Sequence, residues 1–293
     1  MTIQIIHRNE INEAKWNSLI TQYQESSPYV TLHYLDAVCI KWSALIFDDY
    51  QGILPFCWNK KWGVNYIYQP PFLQQMIYVG ETLNSILLEK VIQILYAQFA
   101  FLDYKINIPL STISRKNYII DLNQSYELIQ NNYSSQTQKN LKNKSLEIVE
   151  GTDIKDFLLF YRNNTIPKIE NWKSEFSQIQ QTLLNTLHQK NELLLLGVRF
   201  ENEIISMTAL VHTTGRLVHL MPSSNETGRA KHGTSFIIDH LLKKYAHQPI
   251  IFDFEGSEIE GIEKFIKGFG AINHPYFHLM SNRLRFPFTI FKK

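Results

Sequence analysis

The 293-residue sequence has only two cysteines, Cys39 and Cys57, and neither a CxxC pair nor the Cys/His spacing of a zinc site. Each sits among large apolar neighbours, Val38 and Ile40 or Phe56 and Trp58, so buried, reduced thiols are expected. An excess of one charge is also lacking. The formal net charge of +2 does not demand a nucleic-acid partner, although a local basic patch would still serve one. No apolar run approaches the length of a membrane span, and MTIQIIHRNE offers no apolar stretch before a small-residue cleavage site. A cytoplasmic protein without a membrane span is the expectation. Walker and GxGxxG patterns, heptads and low-complexity tracts are missing as well.

What is present is enough apolar residue, 44%, to fill the cores of two ordinary domains or one large one. From Trp42 the text reads WSALIFDD, YQG, ILPFCWN, KKWG, VNYIYQP, three apolar runs separated by turn residues, which predicts an antiparallel meander. Residues 193–224 repeat the arrangement, with turns at Glu201-Asn202 and Thr213-Thr214-Gly215. Each meander leads to a helical stretch, residues 85–100 and 235–246, and then to a strand, residues 104–108 and 250–255. A strand that follows such a helix is expected to pair parallel through a right-handed crossover.

The reading is therefore an α/β (α+β mixed-sheet) protein of two related domains, 1–121 and 151–293. Residues 122–150, polar and basic with Lys139, Lys142 and Lys144, are expected to connect them. That charge run is either a solvated helix face or a binding surface for phosphate.

FDFEGSEIEG, residues 252–261, raises the question of chemistry. Strand alternation puts Asp253 and Glu255 on one face and Phe252 and Phe254 on the other. Ser257 and Glu260 fit an S-x-x-E capping box, and Gly268-Phe269-Gly270 fits a helix stop. The two acids that remain are costly among aromatics unless paired or functional. No metal is expected: helix formers follow too soon for a calcium loop, and Pro275 keeps His274 and His278 from the helical spacing that would face one zinc. Residues 223–235 form a second candidate, a polar loop that opens a helix. Such an N-terminus suits a pyrophosphate, and Arg229, Lys231 and His232 add charge there. An ordinary surface loop with a cap is the alternative.

Meander, Gly loop, helix, strand and a helix ending in G-F-G together resemble the Gcn5-related N-acetyltransferase (GNAT) superfamily. The tandem arrangement, with DFEGS followed by GIEKFIKGFGA, resembles its Fem-like branch, in which two GNAT-like domains lie in one chain. The resemblance implies transfer of an acyl group from acyl-CoA, acetyl-CoA by default, to a small-molecule or peptide amine. The pyrophosphate of coenzyme A would fall on Arg229 through Thr234, around the backbone of Gly233. Glu255, Asp253 and His219, in that order, are the candidates to take the amine proton.

Set on Gly233, the usual Q/R-x-x-G-x-G/A pattern finds Ala230 and Ser235 at two of its positions. The helix tyrosine that often serves as proton donor falls on Ile266, which turns attention to Tyr276. Fem-type members use aminoacyl-tRNA and act on a peptidoglycan precursor. On that alternative the lysines at 139, 142 and 144, with Arg162 and Lys168, would meet RNA phosphates. A third reading is a non-catalytic binding relative that keeps the fold.

Overall fold

The computed structural model describes residues 1–142 and 145–284. Lys144, one of the lysines named above, lies outside the described residues. The chain forms two compact units, Met1–Arg115 with the segment from Pro275, and Lys116–His274. The expected division at 121 and 151 therefore differs from the observed one. Residues 122–150 are not a connector: they carry α4 (Tyr126–Asn131), α5 (Ser135–Asn140) and β9 (Glu147–Glu150), anchored in the core of the second unit by Leu122, Ile129, Tyr133 and Leu146. A mostly polar sequence hides these few anchors.

In the first unit, β1 (Ile3–His7), α1 (Glu13–Gln22) and α2 (Leu32–Val38) precede the meander β2 (Trp42–Phe47), β3 (Gly52–Lys61) and β4 (Val64–Ile67). Short β5 (Val79–Gly80) leads to α3 (Ser85–Gln98), whose N-cap Asn84 accepts a hydrogen bond from the Leu87 N–H. Then come β6 (Phe101–Ile106) and β7 (Ser114–Arg115), and β15 (Tyr276–Asn282) completes the sheet in the order β1-β2-β3-β4-β6-β15-β7, with β5 beside β3. β6 runs parallel to β4, as the crossover through α3 requires.

Cys39 and Cys57 form a disulfide, with Cα atoms 5.9 Å apart, in place of the expected reduced thiols. The β2–β3 register sets Trp42 opposite Cys57 and brings the end of α2 alongside it. Sequence separation alone does not reveal that register.

The second unit opens with β8 (Tyr118–Asp121), then α4, α5, β9, α6 (Ile154–Asn164) and α7 (Ser174–Gln189). Its meander is β10 (Leu193–Phe200), β11 (Glu203–Thr213) and β12 (Arg216–Ser224). α8 (Glu226–Ala230), α9 (Gly233–Lys244), β13 (Ile251–Asp253), α10 (Glu260–Lys267) and β14 (Ile272–Asn273) follow. The sheet order is β14-β8-β13-β12-β11-β10-β9, and β13 is parallel to β12. α9 buries Ile237, Ile238, Leu241 and Leu242 completely. At about 1.5–3 kcal/mol for each such side chain, this face holds the helix on the sheet. Among the described residues no helix is long and apolar enough to cross a membrane.

Candidate active site

β12 and β13 pair over three residues only, Arg216–Val218 with Ile251–Asp253. β13 then ends while β12 runs on to Ser224, so the strands part. At the parting β12 carries a bulge: Ala209 pairs with Met221 and Val211 with Val218, which leaves His219 and Leu220 together opposite Leu210. Two consecutive residues thus line one pocket, which strict alternation forbids. The pocket, about 660 Å³, is bounded by His219, Leu220 and Pro222 to Ser224 on one side, by Phe254 to Ser257 on the other, and by Ile262, Phe265 and Ile266 of α10. Asn164, Thr165 and Lys168, Arg229 and His232, and the start of α9 complete it.

Glu255 faces this space from a strained backbone, with φ of +62°. A left-handed residue other than glycine costs on the order of 1 kcal/mol, and such strain gathers at functional sites. The expected alternation stops at Asp253, so Glu255 does not share that residue's face. Asp253, 2% exposed, is instead bound by the Arg216 guanidinium at 2.7 Å and accepts the Glu255 N–H at 2.8 Å. It positions the turn and does not line the pocket. Gly256, at φ +78°, passes so close to Lys116 that an added Cβ would lie 2.4 Å from its carbonyl oxygen. The predicted capping box does not form: α10 starts at Glu260, while Ser257 Oγ accepts the Ile259 N–H at 3.0 Å.

His219 is 6% exposed, and its Nε2 has no hydrogen-bond partner among the described residues. Burial lowers its pKa to about 4, so the ring is neutral near pH 7. Tyr161 of α6 is held protonated, its pKa raised to about 12 by burial and then by the negative charge of Glu255. Sequence reasoning missed it. Its only signal is the Phe157/Tyr161 pair on the buried face of α6. Thr165 was also missed; it donates to Ser223 Oγ at 2.7 Å and ties the end of α6 to β12.

The far end of the pocket is cationic. Lys168 and Arg229 line it with no carboxylate in ion-pair contact among the described residues. Burial, then the positive charge of Arg229, lowers the Lys168 pKa. His232 has left-handed φ as the N-cap of α9 and gives no side-chain cap, so the first-turn N–H groups lack that partner. Thr234 Oγ1 lies 2.9 Å from Ser224 Oγ, which lies 2.7 Å from Ser206 Oγ. Gly233 lines no part of the pocket: an added Cβ would meet Ser206 Oγ at 2.3 Å, so this glycine lets α9 approach β11. Lys231 also lies off the pocket, its Nζ 4.5 Å from the Phe200 ring centroid. The remaining candidate, Tyr276, is buried on β15 in the first unit. His274 and His278 fall in different units, and His278 contacts Asp103 and Arg115. Arg162 on α6, Lys139 on α5 and Lys142 just beyond α5 are exposed, and none of them lines the pocket.

No protein-family model matches the sequence, and no curated protein matches it. Solved structures do. FemX is similar at 12% identity over 97% of this chain and 98% of its own, with a TM-score of 0.65. The C-terminal DUF2156 domain of a candidate lysylphosphatidylglycerol synthetase from Agrobacterium fabrum matches at 12% identity, 92% and 91% coverage and a TM-score of 0.57. A tandem GNAT protein from the clavulanic acid biosynthesis pathway matches at 7%, 94% and 97%, with a TM-score of 0.55. At these identities the likeness is one of fold. The chain has a tandem GNAT-like fold in its Fem-like form, a mixed α/β architecture.

Proposed function

We propose that this protein is an N-acyltransferase that moves an acyl group from acyl-CoA, acetyl-CoA by default, to an amine. The observation that carries this reading is the slot where β12 and β13 part, lined by Glu255 and neutral His219 and by the cations Lys168 and Arg229, which have no carboxylate in ion-pair contact among the described residues. The residues fit a donor with an anionic tail. Lys168, Arg229, His232 and the uncapped first turn of α9 would hold phosphate, and β12 beyond Val218 offers an edge unpaired by β13. A thioester supplies an activated acyl carbon. As the amine nitrogen bonds to the acyl carbon, the C–S bond breaks and the thiolate of coenzyme A leaves; Glu255 takes the proton that the amine loses, and His219 lines the same slot as a neutral hydrogen-bonding group. Phe254, Ile262, Phe265 and Ile266 form an apolar wall of the slot, which would suit the pantetheine arm of such a donor.

Calorimetry with acetyl-CoA and longer acyl-CoAs tests the reading, and absence of binding by all of them would overturn it. A second reading is favoured by the juxtaposed cations Lys168 and Arg229 and by the likeness to FemX: an aminoacyl-tRNA-dependent transferase acting on a peptidoglycan precursor or another amine. Its mark would be aminoacyl-tRNA binding that weakens steeply with salt. A non-catalytic relative that only binds a ligand in the slot would bind without turnover.

A further inference from the structure

In the first unit β3 and β4 are joined by the two-residue turn Trp62-Gly63, with Lys61 opposite Val64. Both turn residues have positive φ, +50° and +80°, the type I′ arrangement in which Asn-Gly is favoured. Tryptophan there is strained and gains no burial in return, being 62% exposed. Lys60 and Lys61 beside it are exposed, and Lys61 Nζ lies 4.6 Å from the Trp62 ring centroid. Ile40 and Lys41, just before β2, project at the same end of the sheet, because the Trp58 N–H donates to the Lys41 carbonyl. Ile40 is 71% exposed, and Lys41 Nζ lies 5.3 Å from the Trp58 ring centroid. The other end of β3 is acidic, with Asp48 and Asp49 in the turn from β2. Ten strand residues separate these ends by about 33 Å. No carboxylate occurs in the sequence between Asp49 and Glu81.

We propose that the Trp62 hairpin tip, with Ile40 and the three neighbouring lysines, docks on the surface of an anionic lipid bilayer. An indole at the tip of a hairpin suits the headgroup layer, where its apolar body and N–H are both accommodated. Each lysine close to an anionic leaflet strengthens attachment about fivefold, while the acidic end of β3 is directed away. A nucleic acid is the poorer match, since Ile40, 71% exposed at the same end of the sheet, presents an aliphatic chain that neither stacks on bases nor binds phosphate.

Flotation of the full chain with vesicles tests this. With about one third phosphatidylglycerol in phosphatidylcholine the protein should float, and with phosphatidylcholine alone it should stay behind. Raising salt from about 0.05 M to about 0.5 M should release it. Trp62→Asn and the pair Lys60→Gln with Lys61→Gln should each lower the bound fraction at least fivefold. Trp62→Asn places the favoured residue in the turn, so its Tm should stay or rise, which separates lost docking from lost folding. No flotation with anionic vesicles, or flotation indifferent to these variants, overturns the proposal. So does single-stranded RNA binding that the variants abolish while vesicles are ignored.

Discussion

The two units carry the same plan to opposite ends. In each, a three-strand meander leads through a helix to a strand parallel to the meander's last, and the parallel pairing is brief: Tyr66-Ile67 with Phe101-Leu102 in one, Arg216–Val218 with Ile251–Asp253 in the other. Beyond it, the first unit fills the space. The chain after β4 turns back so that Met76 bridges Ile106, its N–H donating to the Lys105 carbonyl while its own carbonyl accepts the Asn107 N–H. Two residues past the last parallel pair stands Tyr104, wholly buried, its hydroxyl given to the Pro55 carbonyl. The equivalent position in the second unit is Glu255, left-handed and facing the pocket. There the bulge at His219 and Leu220 parts the strands, and among the described residues no segment returns to fill the slot. A shared fold therefore does not imply a shared site: the slot survives only where the chain does not cross back to claim its hydrogen bonds.

The sharpest way to break this contrast is at those equivalent positions. Glu255→Gln should lower kcat about 10²–10⁴-fold with KM and Tm little changed, read by steady-state kinetics with the donor that binds. Tyr104→Phe should leave kcat unaltered and cost about 1–3 kcal/mol in denaturant unfolding, because the buried Pro55 carbonyl loses its donor. Equal loss of activity from both variants would end the assignment of the slot to the second unit.

A pH profile of stability comes next. His219 has a folded pKa of about 4 against an ordinary value near 6.5. The unfolded chain therefore binds the extra proton between these values, and stability, fully present above about pH 6.5, falls by up to about 3 kcal/mol as pH drops to about 4. His219→Leu should flatten that slope in denaturant titrations taken across the range.

Glycines sharpen the comparison at smaller magnitude. An added Cβ at Gly228 would lie 2.0 Å from the Ile205 carbonyl oxygen, so Gly228→Ala should cost about 1–3 kcal/mol by overpacking. At Gly63, in the turn of the first unit, a Cβ meets nothing within 4 Å, and only the positive φ opposes it. Gly63→Ala should therefore cost about 1–2 kcal/mol, the smaller loss by chemical denaturation. Smallest is Lys168→Ala, expected to weaken donor binding about tenfold in calorimetry, an effect that shrinks as salt screens the anion.

Much of the fold was legible. The meanders at 42–67 and 193–224 show as apolar runs between turn residues, and both crossovers follow from helix placement with a handedness set by chain chirality. Of the residues that line the candidate pocket, Glu255, His219, Arg229, His232 and Thr234 were readable, from charge among aromatics and from a polar loop opening a helix. Lys231 was read with them and lies over the Phe200 ring, while Gly233 lets α9 approach Ser206 and offers only its backbone at the first turn. Asp253 differs for a reason no pattern contains: its partner Arg216 lies 37 positions away and meets it through the parallel register. The disulfide was lost in the same way, through the register that draws Cys39 to Cys57.

What the sequence by itself determined is the list and order of elements, because periodicity, turn chemistry and apolar content act over a few residues at a time. Tertiary structure alone decided which strands lie side by side, that β15 completes the first sheet and β8 the second, and that one parallel pair stays open while the other is filled. Those outcomes depend on hydrogen bonds and charges between residues far apart in the chain, whose partners are chosen only when the sheets assemble.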